Sequence, residues 1–327
     1  MAGGEAEEAQ ALWYVGPGRA EIRIEKLGPL AAGSVRVRAL YGALSRGTEA
    51  LIAAGRVPAS EHQRMRPPFM GGNFPFPVKY GYSTVGRVEA GPEGLLGRTV
   101  FALHPHQTLF DIPADAAVPV PADIPLSRAV MAANMETALN ATWDAAPGPM
   151  GRIAVIGAGV VGALTALLCA RIESAEVTLI DVDPAREDLA RALGLNFAQP
   201  DAAPSDCDYV FHASATAAGL TTALNIAREE ATIVELSWYG SGIVSVPLGG
   251  AFHSRRLKLV SSQVGKVAPS RRADFTHRQR LDAALALTAD PRLDALITPA
   301  VPFYELPLRL PDILKPQSGV LCQLIRY

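Results

Sequence analysis

Residues 152–181 read RIAVIGAGVVGALTALLCARIESAEVTLID, and this stretch decides how the middle of the chain folds. RIAVIG is an apolar, β-branched run, as expected of a strand buried on both faces. Val160 and Val161 open a helical segment, VVGALTALLCARI, and VTLID is a second strand. Gly157, Gly159 and Gly162 stand in G-x-G-x-x-G spacing between strand and helix, and Asp181 ends the second strand roughly 20 residues on. Gly157 permits a tight turn, Gly159 lets a pyrophosphate approach backbone N–H groups, and Gly162 lets the helix pack on the sheet. The helix N-terminus adds a dipole that favours phosphate. The pattern predicts a dinucleotide site. Asp181 would accept from the adenosine ribose hydroxyls and repel a 2′-phosphate, which favours NAD over NADP. Arg186 either flanks the ribose, stacks on adenine, or pairs on the surface with Asp183 or Glu187.

Downstream the alternation continues. PAREDLARALG is an amphipathic helix with Pro184 at its start and Gly194 at its end, and DYVFHAS, TTALNIARE, TIVELSW and LKLVSSQ alternate strand with helix. This predicts an α/β domain with a parallel sheet covered by helices. Upstream, residues 11–120 read as β-rich: EIRIEKL and SVRVRAL alternate at period two, and VGRVEAG and RTVFAL are short strands split by Gly and Pro. A helix near 276–289 and strand-like LITPAVPF and VLCQLI end the chain and break the alternation, so the chain is expected to return there to the β-rich domain. The expected boundaries are 1–122 for the β-rich part, 123–262 for the dinucleotide domain and 263–327 for the return. The irregular stretch 55–77 carries Phe69, Phe74 and Phe76, which suggests a lid or pocket wall.

Composition narrows the function. Thirty basic against 32 acidic residues give a net charge of −2, which argues against a nucleic-acid surface. No apolar run approaches the roughly 18–20 residues of a membrane helix. The acidic start, MAGGEAEEAQ, has no signal-peptide pattern and reads as a frayed tail. Cys169, Cys207 and Cys322 are far apart, which fits a reduced, cytoplasmic setting and excludes a four-cysteine zinc lobe.

The order of these parts resembles the medium-chain dehydrogenase/reductase superfamily, with its alcohol dehydrogenase-like members. SRGTEALIAAGR, VKYGYSTVGRVEAG, METALNATWDA, IAVIGAGVVG and VTLIDVDPAR fall in that superfamily's order across essentially the whole chain. The pattern Gly47-Thr48-Glu49…Gly55-Arg56 is similar to the group around hydroxyethyl bacteriochlorophyllide dehydrogenase. The resemblance implies a Rossmann NAD(P)-binding domain, a β-rich GroES-like catalytic domain, a homodimer and a small-molecule substrate. It also shows what is missing. Where zinc members carry Cys before the Gly-Thr-Asp element this chain has Arg46. Tyr82 and Ser83 replace the His-Glu pair that follows the glycine, and the third ligand position near Thr137 offers only Ala133, Asn134, Met135 and Glu136. No zinc is therefore expected. His104-Pro-His106 is the remaining candidate pair, and tetrahedral zinc there would also need Asp111 or Glu136. A polar contact to substrate or cofactor, or no role at all, are its other readings.

Hydride transfer to a carbonyl builds negative charge on oxygen, which hydrogen-bond donors must stabilise in the absence of metal. By resemblance, Thr48 occupies the proton-relay position. Tyr82 projects into the same cleft, either as the donor, tuned by Lys79, His104 or His106, or as a space-filling side chain. Glu49 pairs with Arg46, or Arg46 reaches the pyrophosphate. Glu136 is an acid/base group or a helix cap. Thr137 is expected to pack on the nicotinamide, with Ser214, Ser237, Trp238, Ser262 and Gln263 completing the cofactor site. The expected function is interconversion of a secondary alcohol and a ketone with NAD. NADPH-dependent double-bond reduction and dinucleotide binding without turnover are the alternatives.

Overall fold

The computed structural model describes residues 7–327, which pack as two compact units. The second comprises residues 134–296 and contains a six-stranded parallel sheet. Its order is Asn196–Ala198, Glu176–Ile180, Arg152–Ile156, Cys207–His212, Ala227–Glu235, Lys258–Ser261. Numbered from Arg152–Ile156 along the chain this is 3-2-1-4-5-6, the doubly wound order that places ligands where the winding reverses. The first strand shows why RIAVI cannot alternate in polarity. Ile153 and Val155 join one buried cluster with Ala166, Leu179 and Phe211, while Ala154 and Ile156 join another with Leu220, Leu224 and Ile233. Both faces are covered, so every position from Ile153 to Ile156 is apolar, and only Arg152 at the strand's start is exposed.

The other unit comprises the described residues up to 133 together with 297–327. Its seven-stranded sheet includes Ser34–Leu44 at the centre, paired with Thr84–Ala90, Leu109–Pro113 and Cys322–Arg326. A four-stranded sheet is built on Glu7–Gly16 and Arg19–Leu27. The predicted return is present: Ile297–Pro302 and Cys322–Arg326 pair in parallel on the edge of the larger sheet.

The units meet the chain at 133/134 and 296/297, not at 122/123 and 262/263. Ser83 Oγ donates to the Val130 carbonyl, which ties residues beyond 122 to the first unit. The stretch 263–296 stays with the second because Arg280, on the helix His277–Leu287, bonds Glu136, Asn140 and the carbonyls of Val264 and Lys266. Of the expected tail, residues 1–6 lie outside the described residues, but Glu7–Gln10 are strand. They pair with Glu25, Lys26, Leu27 and Ile24, and Glu7 binds Arg36 at 2.6 Å. Glutamates at the strand's exposed positions conceal a run that buries Ala9, Ala11, Leu12 and Tyr14. The helix Arg46–Ala53 interrupts the stretch that reads as β-rich, and Leu306–Leu314 forms a helix between the two closing strands.

Stretch 55–77 is packed against its own unit. Phe74 is buried with its ring 5.7 Å from His62 and 6.0 Å from Tyr80, while Gly71–Gly72 pairs with Val78–Lys79. Phe69, partly exposed, stacks 5.6 Å from His104.

Candidate functional site

In the second unit the glycine turn follows Arg152–Ile156 and leads into the helix Val160–Cys169. A Cβ on Gly162 would overlap the Gly157 carbonyl, so this contact requires glycine. Nothing lies within 4 Å of the Cβ position at Gly159, where a phosphate would approach the backbone. Val160 and Val161, half-buried, form the first helical turn. Asp181 closes the turn: Oδ2 accepts from Ala158 N at 2.6 Å and Oδ1 from Asp183 N at 2.9 Å. A carboxylate oxygen accepts more than one hydrogen bond, so the ribose diol can still bind. The donor set thus fits a dinucleotide. Arg186 Nε lies 3.7 Å from Asp183 Oδ2, the surface pairing among its expected roles.

At the far strand ends, Ser237 N donates to Glu235 Oε1 at 2.8 Å, and its Oγ accepts from Ala215 N at 3.1 Å. Trp238 is half-buried beside it. Ser262 Oγ donates to Asp144 Oδ2 at 2.7 Å, and Gln263 Oε1 accepts from Gly265 N at 2.7 Å. Both side chains are used to shape the turn after Lys258–Ser261. Ser214 bonds His212 and Thr216. Thr137 lies half-buried in the helix Ala132–Ala145.

Glu136 is placed differently from its acid/base reading. Arg280 Nε donates to Oε1 at 3.0 Å, and both side chains are almost wholly buried. Burial raises the Glu136 pKa and the Arg280 charge opposes the rise. The carboxylate anchors the helix His277–Leu287, which removes it from the acid/base set.

In the first unit, Tyr82 Oη donates to Thr48 Oγ1 at 3.2 Å, with both residues half-buried. Thr48 sits in the first turn of Arg46–Ala53. Burial raises the Tyr82 pKa, while hydrogen bonding with Ser45 and Thr48 partly counters it, so the phenol is a donor at neutral pH. Glu49, one residue on, is buried and does not pair with Arg46. Its Oε2 accepts from Tyr14 Oη at 2.7 Å and lies 3.0 Å from His106 Nε2, and its Oε1 accepts from Ser45 N at 2.8 Å. Arg46 donates to the carbonyls of Val320 and Lys315 instead.

His104 does not serve as an acid or base. Its ring is buried, stacked 3.8 Å from Phe110, and burial pushes its pKa down to about 3. Its Nδ1 faces the Pro105 carbonyl at 2.9 Å. Lys79 is also elsewhere, bonded to Glu25 and Gln107. Asp111 grips Arg36 with both oxygens at 2.8 Å. Neither carboxylate named for a histidine-based metal site is therefore available to it. Among the described residues no group of three or more His, Cys, Asp or Glu is placed to hold a metal ion.

No protein-family description and no curated protein matches the chain. Solved structures do match it over nearly its whole length. L-idonate 5-dehydrogenase from Escherichia coli K-12 superposes with a TM-score of 0.79 at 15% identity, over 98% of this chain and 99% of that one. An alcohol dehydrogenase from E. coli CFT073 complexed with NADH gives 0.77 at 17%, again over 98% and 99%. A Bacillus thuringiensis protein described as an NADPH:quinone reductase gives 0.77 at 14%, over 98% and 100%. This is the medium-chain dehydrogenase/reductase fold. Within this fold the Rossmann unit is residues 134–296 and the GroES-like unit is the described residues up to 133 together with 297–327.

Two clusters in the chain escaped sequence reading. Glu49 and His106 are 57 residues apart and His212 and Glu235 are 23 apart. The only available signal for the second was a histidine and a glutamate ending neighbouring apolar strands.

Proposed function

We propose that the chain is an NAD-preferring oxidoreductase that interconverts a secondary alcohol and a ketone without catalytic zinc. The observation that carries this reading is the Tyr82–Thr48 hydroxyl pair at 3.2 Å, formed by the residues that stand for a metal ligand and a relay hydroxyl in the zinc members. Gly157, Gly159 and Gly162 would hold the pyrophosphate, with Asp181 on the adenosine ribose. The bound nicotinamide supplies or accepts the hydride. Tyr82, a protonated phenol, donates to the substrate oxygen as charge develops there, and Thr48 steadies the phenol and returns its proton. Asp181 supports NAD over NADP by its charge. Three buried cysteines with pKa values raised by burial support a reducing, cytoplasmic setting, and among the described residues no helix is long and apolar enough to cross a membrane. A homodimer with a small-molecule substrate completes the proposal.

The test is incubation with candidate ketones and 4-deuterated NADH. Deuterium on a carbinol carbon supports the reading. Label on a former alkene carbon makes the protein a double-bond reductase, and persistent absence of transfer makes it a binding protein. Metal analysis of the purified protein is the second arm: one tightly bound zinc per chain would sink the zinc-free claim.

A further inference from the structure

His212 is fully buried at the end of the strand Cys207–His212, and both ring nitrogens are engaged. Nδ1 lies 2.7 Å from Glu235 Oε2 and Nε2 lies 2.7 Å from Ser214 Oγ. Strand pairing sets the first contact, because His212 and Glu235 are register partners. Glu235 also accepts from Tyr239 Oη at 3.0 Å and from Ser237 N at 2.8 Å. Burial opposes its ionisation, but the bonds from His212 and Ser237 prevail and hold it below its ordinary value. An ionised carboxylate only accepts, so Nδ1 carries a proton; in the neutral imidazole Nε2 then offers a lone pair to which the Ser214 hydroxyl donates.

The packing around this array requires a costly residue. Gly219 occupies the first turn of the helix Ala217–Ile226, where glycine is about 1 kcal/mol worse than alanine. A Cβ there would overlap Ser214 Oγ and stand 2.7 Å from His212 Nε2, so any other residue would open the Ser–His contact. Thr216 caps this helix by accepting from Gly219 N, and its Oγ1 lies 3.0 Å from Ser214 Oγ. Ser214 is half-buried and residues 215–218 are exposed, so solutes reach this end.

We infer that Ser214 is an activated nucleophile, with His212 as its general base and Glu235 orienting the base, and that it takes acyl groups from small activated esters or thioesters. Ser214 Oγ bonds to the acyl carbon as its proton passes to His212 Nε2. The bond to the leaving oxygen or sulfur breaks, and the leaving group takes that proton. Water then attacks the acyl-serine and gives a proton to His212; the carbon–Oγ bond breaks, Ser214 regains its proton and a carboxylic acid leaves. The Thr216 cap takes Gly219 N, so the first-turn N–H groups of Ala217 and Ala218 are the groups assigned to the oxyanion. Ala215 N is already committed to Ser237 Oγ.

The full chain is treated with a fluorophosphonate, which labels activated serines, and the site is mapped by peptide mass spectrometry. Hydrolysis of p-nitrophenyl acetate is followed alongside. The expected result is one label per chain, on Ser214, and a burst of p-nitrophenolate. Ser214→Ala abolishes both, and His212→Gln slows labelling at least about a hundredfold. Circular dichroism checks each variant's fold, and if Ser214→Ala does not fold, the site map of the unmodified sequence decides. No label on the folded protein, label on another residue, or label retained in Ser214→Ala overturns the inference. Labelling is read without any ketone or hydride, so failure of the dehydrogenase reading leaves this result standing.

Discussion

Tyr82 donates to Thr48 across 3.2 Å, and of the groups marked in the sequence for carbonyl chemistry these are the two that the fold joins. His104 is locked in an aromatic stack and Glu136 in an ion pair. Neither His104 nor Glu136 is placed to share the Tyr82–Thr48 contact.

Tyr82→Phe keeps the ring and removes the donor. Turnover should fall at least about tenfold, with the unfolding midpoint little changed. Thr48→Ala should cost a similar factor, and the double variant should lose less than the product of the two, because both act through one hydrogen bond. Steady-state kinetics on the ketone that accepts deuterium provides the check.

Asp181→Asn removes the charge while keeping one acceptor. NADH affinity should fall about tenfold and the preference over NADPH should narrow, as read by fluorescence titration of both cofactors. An unchanged ratio would remove Asp181 from cofactor selection.

Gly162→Ala should abolish NADH binding and destabilise the Rossmann unit, since the new Cβ overlaps the Gly157 carbonyl. Urea unfolding and cofactor titration report the two effects separately.

Asp290 supplies a pH prediction. Hydrogen bonds from Arg292, at 3.0 and 2.7 Å, outweigh burial and hold its pKa at about 2. A depressed carboxylate contributes stability above its unfolded pKa, about 3.9, and loses it as the pH falls through the folded value. The protein should lose more stability than Asp290→Asn as the pH falls from about 5 to about 2, measured by denaturant unfolding, with solvent screening at the exposed arginines keeping the difference small.

What the sequence disclosed was local. The glycine turn, its flanking strand and helix, and the second strand before Asp181 are contiguous and periodic, and those elements form where the sequence predicts them. The polar clusters were not readable because strand register creates them: His212 meets Glu235 only through parallel pairing. Glu49 meets His106 only after the chain has passed through several strands. The Glu7–Gly16 strand was hidden for a different reason, since acidic residues at its exposed positions imitate a solvated tail.

Arg280 reaches back to Glu136 and Asn140, and also holds the carbonyls of Val264 and Lys266. A fragment ending where the strand–helix alternation stops, at 262, would contain every strand of the parallel sheet and every glycine of the turn. It would also leave a buried carboxylate without its counter-charge, a loss that typically costs about 3–5 kcal/mol. Any excised piece that keeps this pairing must run on through the helix His277–Leu287, and the stretch that looks like an appendage is part of its foundation.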